Sequence, residues 1–258
     1  ASPILGELAD KQIDKNFIIL ELESEISVIG TAIGTAMTGA KAMVGTSGGG
    51  YDLMTEFVSM TGMAEIPLVI YLAQRPGPST GLPTYTGQGD LQLARHSGHG
   101  EFQRTIFAPG DINECQELIS QAFYFSQKYK IPSIVLSDKH LAESSYTQTE
   151  LPKLIHSEKS TSLKKYNSYE HDENGIVTED AEIVNKNFEK RMAKQEAIKK
   201  EAKKFVQYKL YGDKKSKNMI VSWGSPKGVI LDCVKEMDAQ FLQVIYIEPF
   251  PEEIEKII

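Results

Sequence analysis

From residue 17 onward, short apolar runs of strand composition alternate with segments whose apolar positions recur at helical spacing. The runs are FIILEL (17–22), AMVGTS (42–47), PLVIYLA (67–73), RTIFAP (104–109) and SIVLSD (133–138). Between them, 24–39, 51–63 and 111–129 read as helices. Strands alternating with crossover helices predict an α/β fold built on a doubly wound, mostly parallel sheet.

Residues 151–186 lose the pattern and turn polar, as a linker or surface excursion does. A helix follows, with Phe188, Met192, Ile198, Ala202 and Phe205 as its apolar stripe and Glu196 within reach of Lys199 and Lys200 on the wet side. NMIVSWGS (218–225), a helix over 226–239 and LQVIYIEPFP (242–251) then repeat the strand–helix–strand grammar. The expected organisation is a first domain over 1–150, a connecting segment over 151–186 and a second, smaller α/β domain over 187–258, cut short at its end. The opening Ala1-Ser2-Pro3 without a methionine fits a fragment or trimmed chain.

Composition narrows the function classes. With 258 residues, 41% hydrophobic and 24% charged, the chain can bury a sizeable core. Its net charge of -7 lacks the basic footprint of a nucleic-acid binder. No apolar stretch is long enough to span a membrane, so a cytoplasmic location is the default expectation. Cys115 and Cys233 are too few to ligate a cluster without help from other chains, and their helical settings predict small buried hydrophobes.

In doubly wound sheets ligands gather outside the carboxyl ends of the strands, here the loops after Leu22, Ser47, Ala73 and Asp138. One of them, QRPGPSTGLPTYTGQGD (74–90), concentrates turn residues directly after a buried-looking strand. In it Arg75 leaves the strand where a ligand would sit, and its guanidinium suits a carboxylate bidentately; the plain alternative is a surface arginine in a proline-rich turn. Ser79 and Thr80 place hydroxyls in the same bend. GTSGGGYDLM (45–54) sets Gly48 and Gly49 where a strand turns into a helix, open either to an approaching ligand or simply to a tight turn. It has neither the lysine of a phosphate-cradling loop nor a dinucleotide spacing.

Glu25 opens a helix that carries no further charge until Lys41. A first-turn glutamate complements the helix dipole, and a carboxyl on so apolar a helix can also be desolvated enough to share a proton with a ligand ring nitrogen. Gly30, Ala32, Gly34, Thr35, Ala36 and Gly39 make that helix thin enough to pack closely on another chain or a cofactor. His96 and His99 lack a matching third ligand, so no metal site is assigned to them. SDKH (137–140), after the strand at 133–136, is expected to contribute to the same crevice, as a weaker signal.

Taken in order, ELESEISVIGTAIGTAMTGAKAMVGTSGGGYDLMTE, AEIPLVIYLAQRPGPSTGLPTYTGQGDL and PSIVLSDKHLAE resemble the α subunit of 2-oxoacid:ferredoxin oxidoreductases, and the likeness runs on through YEHDENGIVTED and VSWGSPKG. The resemblance implies a thiamine-diphosphate enzyme in which this chain supplies the pyrimidine-binding domain, while a β subunit holds the diphosphate, a divalent metal (Mg2+) and a [4Fe-4S] cluster. It implies that Glu25 faces the aminopyrimidine ring and favours the imino form that removes the thiazolium C2 proton. Arg75 then receives the substrate 1-carboxylate, Ser79 and Thr80 shape that pocket, and Gly48 and Gly49 line the cofactor.

The implied activity is oxidative decarboxylation of a 2-oxoacid to an acyl-coenzyme A, with electrons passed to ferredoxin, in a cytoplasmic hetero-oligomer that binds no nucleic acid and no membrane. The family's Tyr-Pro-x-Thr-Pro stretch is expected upstream of Ala1, which leaves its threonine outside these residues. The alternatives are another thiamine-diphosphate enzyme of transketolase-like architecture, or a non-catalytic assembly subunit.

Overall fold

The computed structural model describes residues 2–160 and 167–258; residues 161–166, inside the polar segment, lie outside the described residues. The first sheet is built from β1 (Met43–Thr46), β2 (Leu68–Gln74), β3 (Thr105–Phe107), β4 (Pro132–Asp138) and a short β8 (Tyr246–Glu248), in the order β1-β2-β4-β3-β8. All neighbours run parallel except β8, which adds antiparallel to β3. Every residue of β2 and β4 is buried, as suits central parallel strands covered on both faces.

Side chains alternate across a strand, so one strand feeds two cores. Leu68, Ile70 and Leu72 pack with Ile29, Ile33, Met54 and Val58 of α2 (Glu25–Met37) and α3 (Gly48–Ala64). Val69, Tyr71 and Ala73 face the other way, onto Leu118, Ala122 and Phe125 of α5 (Ile112–Tyr129). Ile198 and Ala202 of α7 (Ala181–Ala202) close that second core.

The second sheet has the order β5-β7-β6, from Tyr208–Gly212, Gln240–Val244 and Met219–Trp223. β7 pairs antiparallel with β5 and parallel with β6, and α8 (Lys227–Cys233) supplies the crossover. The two sheets are joined by a buried ionic cluster. Glu114, 3% exposed at the start of α5, accepts from Lys209 Nζ at 2.8 Å, Lys227 Nζ at 2.6 Å, Gln243 Nε2 at 2.7 Å and Gly110 N at 2.8 Å. Lys227 also pairs with Asp111, the N-cap of α5. Burial pushes the Glu114 carboxyl up, but the ammonium groups of Lys227 and Lys209 outweigh it and hold the group below its ordinary value.

Several expectations are corrected. FIILEL forms no strand among the described residues: the Ile19 amide donates to Gln12 Oε1 instead of to a ladder, and Ile18 and Leu20 stay exposed. That glutamine belongs to α1 (Ser2–Lys15), a helix that sequence reading does not anticipate. β5 is likewise unanticipated. LQVIYIEPFP is split, with β7 in the second sheet and β8 in the first. The helix expected over 226–239 stops at Cys233. That cysteine is exposed, while Cys115 is half-buried and its thiol is pushed up to about 12, first by burial and then by the Asp111 and Glu114 charges. Phe188, expected in the apolar stripe of α7, is exposed, and Arg191 and Glu201 are buried there instead, bonded to Glu170 and Tyr124.

Candidate active site

The site is assembled at the carboxyl ends of β1, β2 and β4. Ser24 caps α2 by accepting from Ser27 N, which makes Glu25 the first helical residue and directs it to the end of β1. Across from it, α3 starts at Gly48, and its N-cap Ser47 makes no side-chain capping bond. The glycines of this first turn each admit a different neighbour. A Cβ on Gly48 would lie 2.6 Å from Asp90 Oδ1, one on Gly49 would lie 3.6 Å from the Ser79 carbonyl oxygen, and one on Gly50 would lie 2.6 Å from Glu25 Oε1 and on top of Thr46 Oγ1. Close approach, not a positive φ, is what requires glycine at 48 and 50.

Two carboxyls therefore converge on one helix N-terminus, whose partial positive charge favours them. Glu25 is half-buried, and its carboxylate accepts no hydrogen bond among the described residues. Asp90 Oδ2 is buried without a hydrogen-bond partner among the described residues. Burial raises the Asp90 carboxyl above its ordinary value, the negative charge of Asp52 adds to this, and the positive charge of Arg75 offsets part of it.

The loop from Arg75 to Asp90 is pinned in its second half. His140 N donates to Thr86 Oγ1 at 3.2 Å, Gln88 Nε2 donates to Trp223 O at 3.0 Å, and Asp90 N donates to Gln74 Oε1 at 3.0 Å. Through Gln88 the second sheet takes part: Gly224, at φ +73, brings the turn after β6 so close that a Cβ there would sit 2.6 Å from Gln88 Nε2. The tip is held by itself, through Leu82 N donating to Pro76 O at 3.0 Å. Gly81 at φ +51 sits so tightly on Pro76 O that only glycine fits. Ser79, also at positive φ, and Thr80 are exposed on this tip. Arg75 is half-buried and makes no hydrogen bond or ion pair among the described residues. An arginine directly after β2 and a glutamate at the start of α2, neither of them bonded among the described residues, can bind a carboxylate and hold a proton at a ring nitrogen.

The structure thus brings Glu25, Gly48, Gly49, Arg75 and the Ser79 backbone to one end of the sheet. The Thr80 hydroxyl has no partner there among the described residues. Sequence reading assigned no role to Thr46, Gln74, Gln88 or Asp90, although Thr46 lies in the glycine stretch 45–54 and the other three in the stretch 74–90 that it singled out. His96 and His99 are exposed, and His99 Nδ1 lies 3.4 Å from Ser59 Oγ. Among the described residues no group of His, Cys, Asp or Glu side chains is placed to hold a metal ion, and no helix is long and apolar enough to cross a membrane.

Residues 1–214 match the family described as pyruvate flavodoxin/ferredoxin oxidoreductase, thiamine diphosphate-binding. The 2-oxoacid:ferredoxin oxidoreductase 1 subunit alpha of Sulfurisphaera tokodaii is 37% identical over 92% of this chain and 43% of its own length. The 2-oxoglutarate synthase subunit KorA of Methanothermobacter marburgensis is 39% identical over 47% of this chain and 32% of its own. Among solved structures, a 2-oxoglutarate:ferredoxin oxidoreductase from Magnetococcus marinus with 2-oxoglutarate, coenzyme A and succinyl-CoA bound superposes with a TM-score of 0.83 at 25% identity, over 100% of this chain and 50% of that one. The chain spans less than half the length of these curated relatives.

Proposed function

This chain belongs to the pyruvate flavodoxin/ferredoxin oxidoreductase family and carries that family's thiamine-diphosphate-binding region; from that premise we propose that it works as the α-type part of an enzyme that oxidatively decarboxylates a 2-oxoacid to an acyl-coenzyme A and passes the electrons to ferredoxin. The observation that carries the reading is the Glu25 carboxylate, half-buried against the glycine turn of α3 and without a hydrogen bond among the described residues, with Arg75, likewise unbonded among them, directly after β2 at the same end of the sheet. The relatives' names and the molecules bound in the solved relative support the substrate class.

The residues present fit the pyrimidine end of the cofactor: a half-buried carboxyl, without a hydrogen-bond partner among the described residues, stands at the start of α3. When bound, thiamine diphosphate supplies the electron sink for decarboxylation. Glu25 binds its pyrimidine ring and holds a proton at a ring nitrogen. Arg75 receives the substrate carboxylate and fixes which face of the substrate carbonyl is presented. Ser79 and Thr80 border that carboxylate site, and Gly48 and Gly49 border the cofactor. The diphosphate, Mg2+ and the [4Fe-4S] cluster belong, on this reading, to a β subunit that closes over the exposed side of the crevice, and the assembly works in the cytoplasm.

Reconstitution with that partner, thiamine diphosphate, Mg2+, coenzyme A and a dye acceptor tests the function. The complete mixture reduces the dye only when a 2-oxoacid is added, and the chain alone does not. Turnover without any electron acceptor would favour a transketolase-like synthase, and failure to bind thiamine diphosphate even with the partner would favour an assembly subunit.

A further inference from the structure

Gln74 is the last residue of β2 and directly precedes Arg75. It is 0% exposed, a setting in which a side-chain amide is costly unless both of its ends are bonded. Both are. Oε1 accepts the Asp90 amide at 3.0 Å and Nε2 donates to the Ser137 carbonyl at 3.0 Å. Ser137 lies on β4, in register with Ala73, so one side chain ties the last residue of the loop, sixteen positions away, to its first and ties both to the central strand pair.

The clamp also sets Asp90. With its amide held by Gln74, the Asp90 carboxyl is laid against Gly48 at the start of α3, within electrostatic reach of Arg75. Thr86 and Gln88 hold the loop farther along, on α6 (Lys139–Glu143) and on the turn after β6. Neither bonds its root. A leucine or methionine would fill the buried volume of Gln74 without burying a side-chain amide, but would take this partner from the Asp90 amide and the Ser137 carbonyl, so what the glutamine adds is the pair of bonds.

We propose that Gln74 is a positioning residue, which by bonding the Asp90 amide and the Ser137 carbonyl fixes the root of the 75–90 loop and so the direction in which Arg75 leaves the sheet. The proposal rests on the reading of Arg75 as the receiver of the substrate carboxylate. It acts through Arg75 and not on the cofactor, and this separates it from a merely structural role.

The test is a double-mutant cycle on the full chain assembled with its partner subunit, using Gln74→Met and Gln74→Glu in wild-type and Arg75→Ala backgrounds. Gln74→Met keeps the length and loses both bonds, whereas Gln74→Glu keeps the acceptor for the Asp90 amide. In the wild-type background Gln74→Met is expected to raise KM for the 2-oxoacid about tenfold, to change thiamine diphosphate affinity less than about twofold, and to speed hydrogen exchange at the Asp90 amide. Gln74→Glu falls between, and it carries the cycle if the methionine variant does not fold. With Arg75 already removed, the same Gln74 substitution changes KM less than about twofold, because the interaction it served is gone. Equal effects in the two backgrounds, or an unchanged KM with the Asp90 amide freed, overturn the proposal. An unchanged KM for Arg75→Ala alone removes the reading of Arg75 first and the proposal with it.

Discussion

Glu25 occupies the space that a side chain on residue 50 would need: a Cβ built on Gly50 stands 2.6 Å from Glu25 Oε1. The carboxyl and the helix start are therefore packed as one unit. Gly50→Ala is expected to displace Glu25 together with Thr46, costing roughly 1–3 kcal/mol of stability as an overpacked site does. Turnover of the assembled enzyme should fall at least about tenfold while the secondary structure is kept. Circular dichroism and dye-linked turnover, measured on the same preparation, check both parts.

Arg75 makes no hydrogen bond or ion pair among the described residues, so its removal leaves no partner stranded within the chain. Arg75→Ala should lower kcat/KM for the 2-oxoacid by the worth of a desolvated bidentate pair, about 2–5 kcal/mol, with little change in melting temperature. Arg75→Lys keeps the charge but not the planar fork and should recover only part of the loss. Steady-state kinetics with a substrate panel, together with thiamine diphosphate titration, separate the carboxylate contact from general damage.

The Glu114 cluster ties stability to pH. The folded carboxyl lies below its unfolded value, so its contribution is fully present above about pH 4.3, the unfolded carboxylate value, and is lost as pH falls through the depressed folded one. Removing one member of so buried a set costs about 3 kcal/mol. Glu114→Gln should therefore melt well below wild type at pH 7, and the gap should narrow as pH drops below 4. Thermal melts of both proteins across that range measure it.

Gly34 lies on the exposed face of α2, and a Cβ there would meet nothing within 4 Å. Gly34→Ala should stabilise the isolated chain by about 0.5–1 kcal/mol, the helix-interior difference between the two residues. If the thin face of α2 packs on the partner, the same methyl should weaken assembly. Melting of the chain alone and titration with the partner give opposite signs on that account.

What could be read beforehand follows from range. β2 and β4 are legible because burial on both faces makes them continuous apolar runs, and Glu25 stands out because its helix carries no other charge. Arg75 is legible by its place at a strand end. Gln74 is not, since a glutamine closing an apolar run carries no periodic signal and its partners lie 16 and 63 positions away. Glu114 and Lys227, separated by 113 positions, are hidden in the same way. FIILEL misleads because strand composition reports propensity, whereas a strand also needs a ladder partner, and the Ile19 amide bonds Gln12.

The most direct measurement is exchange of the thiamine diphosphate C2 proton for deuterium in the assembled enzyme, followed by proton NMR after acid quench, for wild type against Glu25→Gln. The glutamine keeps the shape but cannot hold the proton at the pyrimidine nitrogen. Exchange at least about a hundredfold slower in the variant, with cofactor still bound, is the predicted result. Equal exchange rates in the two proteins would contradict the assignment of Glu25 and the account built on it.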